Sequence, residues 1–447
     1  MKCALRTLVC FLSSVASAHA QGDALRLTLP DAIARGLETS HRIAELSARE
    51  QAARAMEDQR EAATRPAIAV VASYTRTNHV EEFSVPGPSG GLRVIYPDIP
   101  DNVRSRLDLQ WPIYTGGRLQ ALTKAAAADA DASGQDRESA RADLKLEITR
   151  AYWAVVTARA SHDVLQQALE RTNAHLVDVR NQLNVGLVPP SDVLSIEAQQ
   201  ARQRMLAIES DNLVEIASAD LRRLTGLPPD APFELLAELD PPDAQSPVGL
   251  PGVARSAEVG TAAGARANRP DRKALEFRVD AAALRVAAAS AGRLPVLTAI
   301  GGYDLARPNP RIFPIQGAWK PSWDLGVNVR WPVFDGGRVR AEAAESVANQ
   351  RTVEARLREL DASIDAELRQ RAAELRSSQA AIEAAHAGVR AATEARRVLA
   401  ERFAAGVATN TDVLAAQVAL LQAELDRTRA LANAKLAAAR LDRVLGR

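Results

Sequence analysis

The chain has 447 residues and a formal net charge of +1, from 56 basic and 55 acidic side chains. A balance this close, with no block of one sign, offers no basic face to neutralise phosphates and argues against nucleic-acid binding. Aromatics make up only 4%, and the abundance of Ala, Leu, Glu, Arg and Gln favours long helices over a compact aromatic core.

Residues 1–20 have the layout of a secretory signal: Lys2 and Arg6, an apolar stretch over 8–15, and an A-x-A cleavage site at Ala18-His19-Ala20. The mature chain is therefore expected to begin near Gln21. Removal of 1–20 takes away both cysteines, Cys3 and Cys10, and with them any disulfide or thiol chemistry. Val9 before Cys10 argues against a lipoprotein signal. The mature part has no apolar run of 18 residues, so if it crosses a membrane it does so with strands.

The first repeat is placed at 21–226. Thr28 as N-cap, Pro30 in the first turn and Asp31 predict a helix start. Ile33, Leu37 and Leu46 carry its period to about residue 65, where Pro66 stops it. From 67 the period becomes two, with Ile68, Val70, Ala72 and Tyr74 on one face, which predicts a strand over 67–78. A Pro/Gly-rich loop follows, through Pro86-Gly87-Pro88 and Tyr96-Pro97.

The strand predicted at 103–111 has the cleanest alternation. Val103, Ser105, Leu107, Leu109 and Trp111 oppose Arg104, Arg106, Asp108 and Gln110. An apolar outer face, a charged inner face and a terminal aromatic are the pattern of a transmembrane barrel strand, with Leu107, Leu109 and Trp111 toward lipid. A half-buried hairpin in a soluble protein is the competing reading for any one such pair. Pro112 and Pro332 are expected to end the ladder, and Gly116-Gly117 and Gly336-Gly337 to allow a sharp turn into a helix.

A helical hairpin is predicted at 118–224. Leu144, Ile148, Ala151, Val155, Ala158, His162, Leu165, Leu169, Thr172, Leu176, Val179 and Leu183 step by four and three, the spacing of a coiled-coil seam. One helix over 118–184 would extend about 100 Å. The chain is expected to turn at Gly186-Leu187-Val188-Pro189-Pro190, restart at Ser191-Asp192 and return to Leu224.

Residues 227–266, with Pro228-Pro229, Pro241-Pro242 and Pro247, are read as an equatorial linker of short elements. The second repeat is placed at 267–447, with strands at 295–304 and 323–331 and a helical hairpin at 338–445. Here Leu325, Val327, Val329 and Trp331 form the apolar face. WPIYTGGR recurs as WPVFDGGR, GLVPPSDVL as GVATNTDVL, and LRRLTG as LDRVLG, every landmark displaced by 220 positions over 116 residues. The protein is a tandem duplication.

On these motifs, together with Asn268-Arg269-Pro270-Asp271 opening the second copy, the chain resembles the TolC-like outer-membrane channels of bacterial efflux and type I secretion. The resemblance implies a mainly α protein with a transmembrane β-barrel part, assembled as a homotrimer in which each chain lends four strands to one barrel. It also implies a helical tunnel in the periplasm, a periplasmic adaptor (membrane fusion protein), an inner-membrane pump and outer-membrane lipid as partners. Carried over, it places Gly186, Leu187, Asp192, Val193 and Leu194, with Gly406, Val407, Asp412, Val413 and Leu414, at the periplasmic entrance and adaptor contact. Three copies of Asp412 on a trimer axis would make an acidic constriction favouring cations. The chain departs from the family at Ala415, often a second acid, and at Ala408, where some members have a gate-locking Arg. Independently of the family, four strands cannot close a barrel alone, so the strand reading itself demands oligomerisation.

His41, His79, His162, His175 and His386 show no pairing with metal-ligand spacing, and no phosphate loop or nucleophile elbow is legible. No cofactor, metal or bond-making chemistry is expected. The sequence points to a passive outer-membrane duct. A soluble periplasmic coiled-coil scaffold or adaptor is the alternative, and it leaves the doubled alternating strands without a role.

Overall fold

The computed structural model describes residues 25–87, 90–237, 239 and 262–447. The signal segment with both cysteines, and the linker residues 238 and 240–261, lie outside them. In chain order the elements are β1 (Leu25–Leu27), α1 (Leu29–Thr39), α2 (His41–Ala62), β2 (Ala67–Arg76), β3 (Phe83–Pro86), β4 (Leu92–Tyr96), β5 (Asp101–Tyr114), α3 (Arg118–Asn184), α4 (Pro190–Thr225), β6 (Phe233–Leu235), α5 (Ala262–Asn268), α6 (Pro270–Ser290), β7 (Val296–Arg307), β8 (Lys320–Arg330), α7 (Arg338–Ala404) and α8 (Asn410–Val444).

The duplication is written into the backbone. α3 and α7 are each 67 residues long, with starts and ends displaced by 220 positions. Four pairs of glycines share that displacement and adopt positive φ: Gly116 and Gly336 (62° and 65°), Gly117 and Gly337 (83° and 89°), Gly186 and Gly406 (77° and 74°), Gly226 and Gly446 (64° and 73°). The first two pairs turn each strand pair into its long helix. The last two pairs end helices, where a left-handed residue lets the final carbonyls be capped from beyond the helix. Leu187, Val407, Leu227 and Arg447 each donate their backbone N–H to the carbonyl five residues back.

The chain divides into two compact units. One comprises the described residues within Met1–Thr39, Ile148–Asp243 and Ala392–Thr428; the other comprises those within Ser40–Glu147, Ala244–Ala391 and Arg429–Arg447. In the first unit, Leu176 and Val179 of α3 pack on Val193 and Ile196 of α4, with Leu183, Val188, Phe403 and Leu414 against them. A second cluster joins Leu165 and Ala168 to Leu421. β1 pairs in parallel with β6, and the buried Tyr152 hydroxyl donates to the Leu27 carbonyl (3.2 Å). In the other unit, Ile364, Leu368 and Leu375 of α7 pack against Ala437, Ala438, Leu441 and Val444 of α8, with Ala265 of α5. Of the predicted seam, Leu144, Ile148, Ala151, Val155, Leu165, Thr172, Leu176 and Val179 are buried.

Several expectations are corrected. The single helix read over 28–65 is two helices. Ser40 is extended (φ −68°, ψ 117°) and its hydroxyl accepts from the Ile43 N–H (3.4 Å), so it caps α2 where periodicity alone would continue α1. The Thr28 start is as expected, with Thr28 and Asp31 bonded reciprocally. The Pro/Gly-rich stretch contains a short hairpin, β3 with β4, paired from Phe83↔Tyr96 to Pro86↔Leu92. Pro112 does not end its strand: β5 runs on to Tyr114 through a register shift between Pro112 and Tyr114. β2 pairs only as far as Gln110, so by Pro112 one side of β5 is already open, and a missing N–H is tolerated at such an edge or bulge. β7 reaches Arg307 rather than 304, and β8 spans Lys320–Arg330, leaving Trp331 just outside. In the first helical hairpin the return helix starts at Pro190, a residue earlier than the Ser191-Asp192 start, with Pro in the first turn of α4.

Candidate functional site

Two regions carry the residues singled out from sequence. The first is the four-stranded antiparallel sheet of order β2-β5-β7-β8. It draws β2 and β5 from the first copy and β7 and β8 from the second. Directly opposed residues of an antiparallel pair share a face, so the register sorts the side chains. One row reads Val70, Leu107, Tyr303, Trp323, and the next reads Ile68, Leu109, Gly301, Leu325. Trp111, Ala299 and Val327 follow, then Leu297 and Val329. Predicted residues from both copies thus lie on one face. Leu107, Trp111, Val329 and Trp331 are exposed, Leu325 and Val327 are 75% and 60% exposed, and Leu109 is half-buried. Trp331, beyond the strand end, donates its indole N–H to the Arg293 carbonyl (3.1 Å).

The opposite face is polar through its middle, although Val71 and Ile300 also fall there. Asp108, Gly302 and Asp324 form one row, and Arg106, Asp304 and Ser322 the next. The Arg106 guanidinium bonds both oxygens of Asp324 (2.9 and 3.1 Å) and also reaches Asp108 and Asp304. Arg104 donates to Asp304 (2.6 Å), and Arg311 stands 3.5 Å from Asp324. Gly302 makes room for this arrangement, because a Cβ there would collide with the Arg106 guanidinium. Sequence alternation placed Arg106 on the charged face. It could not name Asp304 and Asp324 as partners, because they lie 198 and 218 residues away.

The second region is the pair of hairpin tips, both in the first unit. Gly186, Leu187, Leu194, Gly406 and Val407 are exposed; Asp192 and Leu414 are half-buried; Val193 and Val413 are buried. The last two point into the packing between helices. Asp412 is exposed and works locally: its carboxylate accepts from the Thr409 hydroxyl (2.7 Å) and the Thr409 N–H (2.9 Å), while the Asp412 N–H donates back to that hydroxyl (3.2 Å). These bonds, the hydroxyl's above all, hold its carboxyl below the usual carboxylate range. The first copy has Pro189 in place of Thr409 and builds no such cap. The tips are also tied together by residues that the spacing did not flag. His175 of α3 bonds the Asn410 side-chain oxygen (2.9 Å), and the Asn410 amide donates to the Asp192 carbonyl (3.2 Å). His175 also stands edge-on to Phe403.

At the opening of the second copy, Arg269 is nearly buried and pairs with Asp271 and Glu367. Asn268 lies so close to Gly446 that a Cβ on that glycine would meet its backbone. The Asn268-Arg269-Pro270-Asp271 motif is thus a packed, charge-balanced helix start. Among the described residues, no group of three His, Cys, Asp or Glu side chains is placed to hold a metal ion. No helix there is long and apolar enough to cross a membrane.

A duplicated module, in which strand pairs from both copies build one two-faced sheet and each copy runs on into a long helical hairpin, defines the class of protein. The model of the family described as "Outer membrane efflux protein" matches residues 32–227 and 262–447. The chain belongs to that family, the TolC-like group to which its motifs pointed. It is 25% identical over 285 residues to the fusaric acid resistance protein FusA of Burkholderia cepacia, covering 60% of this chain and 52% of FusA. It is 25% identical over 215 residues to the outer membrane protein TolC of Vibrio cholerae, covering 46% of this chain and 47% of TolC. These matches span about half the length of each relative. The crystal structure of the outer membrane protein VceC from Vibrio cholerae has the same fold, with a TM-score of 0.77 and 20% identity over 94% of this chain and 96% of that one.

Proposed function

We propose that the protein is a passive exit duct in the bacterial outer membrane. It would carry small toxic compounds or polypeptide from the periplasmic side to the exterior, as part of a tripartite efflux pump or a type I secretion system. The two-faced sheet is the observation that supports this most. Its exposed apolar face has no counterpart on a water-soluble surface of ordinary composition, where apolar patches are small, whereas lipid would bury Leu107, Leu109, Trp111, Leu325, Val327 and Val329, with Trp331 at the boundary. Among the described residues the two outer strands, β2 and β8, each have an unpaired edge, and closure into a barrel removes such edges. Copies of this chain joined edge to edge, three of them in the family's arrangement, would supply twelve strands, within the usual size range.

In this reading the helical hairpins lie in the periplasm. The exposed tip residues Gly186, Leu187, Leu194, Gly406, Val407 and Asp412, with the half-buried Asp192, face the adaptor and the entrance. Val193, Val413 and Leu414 shape the tips from within. The energy comes from an inner-membrane pump, and the duct itself makes and breaks no bonds.

Two experiments test the proposal together. The protein should stay with outer membranes through a high-salt wash, and the purified protein should open conductance steps in planar bilayers. Release by salt, with no conductance, would instead favour a soluble periplasmic scaffold.

A further inference from the structure

We infer that Arg106 sets the ion selectivity of the barrel wall, by cancelling within each chain a cluster of carboxylates that would otherwise face the lumen. The inference rests on the duct reading, which turns the polar face of the sheet inward. The three carboxylates of that face, Asp108, Asp304 and Asp324, meet in two adjacent rows across β5, β7 and β8. Asp108 and Asp324 flank Gly302 in a single row, a like-charge arrangement that repels. The Arg106 guanidinium contacts all three carboxylates, and its planar fork suits such shared recognition.

Counting Arg104 on Asp304 and Arg311 on Asp324, three cations meet three anions. The cluster is closely held: Asp304 is 5% exposed even in a single chain. At the two ends of β8 the same face carries Lys320 and Arg330, so the acids are gathered mid-wall. The wall is therefore neutral at that level only while Arg106 is present. Without it each chain would carry one uncompensated carboxylate, repeated around the barrel by every copy.

The test is the reversal potential of single channels in planar bilayers under a KCl gradient, for wild type, Arg106→Gln, Arg106→Lys and Asp324→Asn. Arg106→Gln should raise the potassium-over-chloride permeability ratio roughly threefold at low salt, an effect that fades near 1 M. Arg106→Lys keeps the charge and should match wild type, while Asp324→Asn should shift the ratio toward chloride. Opposite signs in the Arg and Asp variants cannot come from loosened packing alone. Channels of Asp324→Asn and Arg106→Gln with the wild-type ratio, or shifted in the same direction, would overturn the inference. Should Arg106→Gln fail to assemble, Asp324→Asn against wild type still decides it. Wild-type protein that opens no channel at all would refute the duct reading, and this assignment with it.

Discussion

Gly186 and Gly226 both end helices in the left-handed region, at φ 77° and 64°, but in different surroundings. A Cβ on Gly186 would meet nothing within 4 Å, whereas on Gly226 it would lie 2.7 Å from the Thr39 hydroxyl and 2.8 Å from the Thr39 Cβ. Alanine at either site pays for left-handed backbone, about 1–2 kcal/mol. At Gly226 alone it also overlaps α1, adding about 1–3 kcal/mol of the kind seen on overpacking. Gly186→Ala should therefore cost about 1–2 kcal/mol, a factor of roughly 5–30 in the local opening equilibrium, and Gly226→Ala about 2–5 kcal/mol. Hydrogen exchange read by mass spectrometry on detergent-purified protein checks both, at the residues flanking each helix end. Equal effects at the two sites, or none at Gly186, would refute the reasoning: the first removes the packing term and the second the backbone term.

On the apolar face, Leu325→Arg should cost about 2–4 kcal/mol if that position lies near mid-bilayer, seen as a drop in membrane-inserted protein; insertion at the wild-type level would place the residue elsewhere. Asn410 is 4% exposed and bridges His175 to the Asp192 carbonyl, so Asn410→Ala should destabilise the tips by about 1–3 kcal/mol. In a double-mutant cycle the loss should be non-additive with His175→Ala, and additivity would mean the two do not act together. Asp412→Ala should lower cation preference in bilayer conductance, and an unchanged reversal potential would remove Asp412 from the entrance. Because the folded protein holds the Asp412 carboxyl below its ordinary 3.8, its capping contribution is complete above that value and is lost as pH falls through the lowered one. Amide exchange at 409–412, corrected for its intrinsic pH dependence, should accelerate over that acid range in wild type but not in Asp412→Asn.

The repeats were legible in sequence because the special backbone positions are glycines, and glycine marks left-handed turns directly. Alternation likewise revealed the two faces of the sheet, since Leu107, Leu325 and Val327 follow the period-two rule without exception. What stayed hidden depends on distance along the chain or on brevity. Arg106 finds two of its three acids, Asp304 and Asp324, in the other copy, and His175 finds Asn410 235 residues away, contacts no local pattern encodes. β1, β6 and the β3–β4 hairpin are three to five residues each, too short to establish a period. The break at Ser40 was missed because one capping hydroxyl overrode a helical pattern that was otherwise intact. The buried tip residues Val193 and Val413 sit in a motif whose exposed members lie beside them, and the motif alone does not say which way each side chain turns.

The central claim is that one face of the β2-β5-β7-β8 sheet meets lipid and the other meets water. Loss of the first twenty residues would leave no cysteine, so single cysteines can be introduced along 323–330 and spin-labelled in protein reconstituted into vesicles. Collisions with oxygen should peak at positions 323, 325, 327 and 329, and collisions with a water-soluble nickel chelate at 324, 326, 328 and 330. Chelate access at every position, or protection from both reagents throughout, would contradict the account.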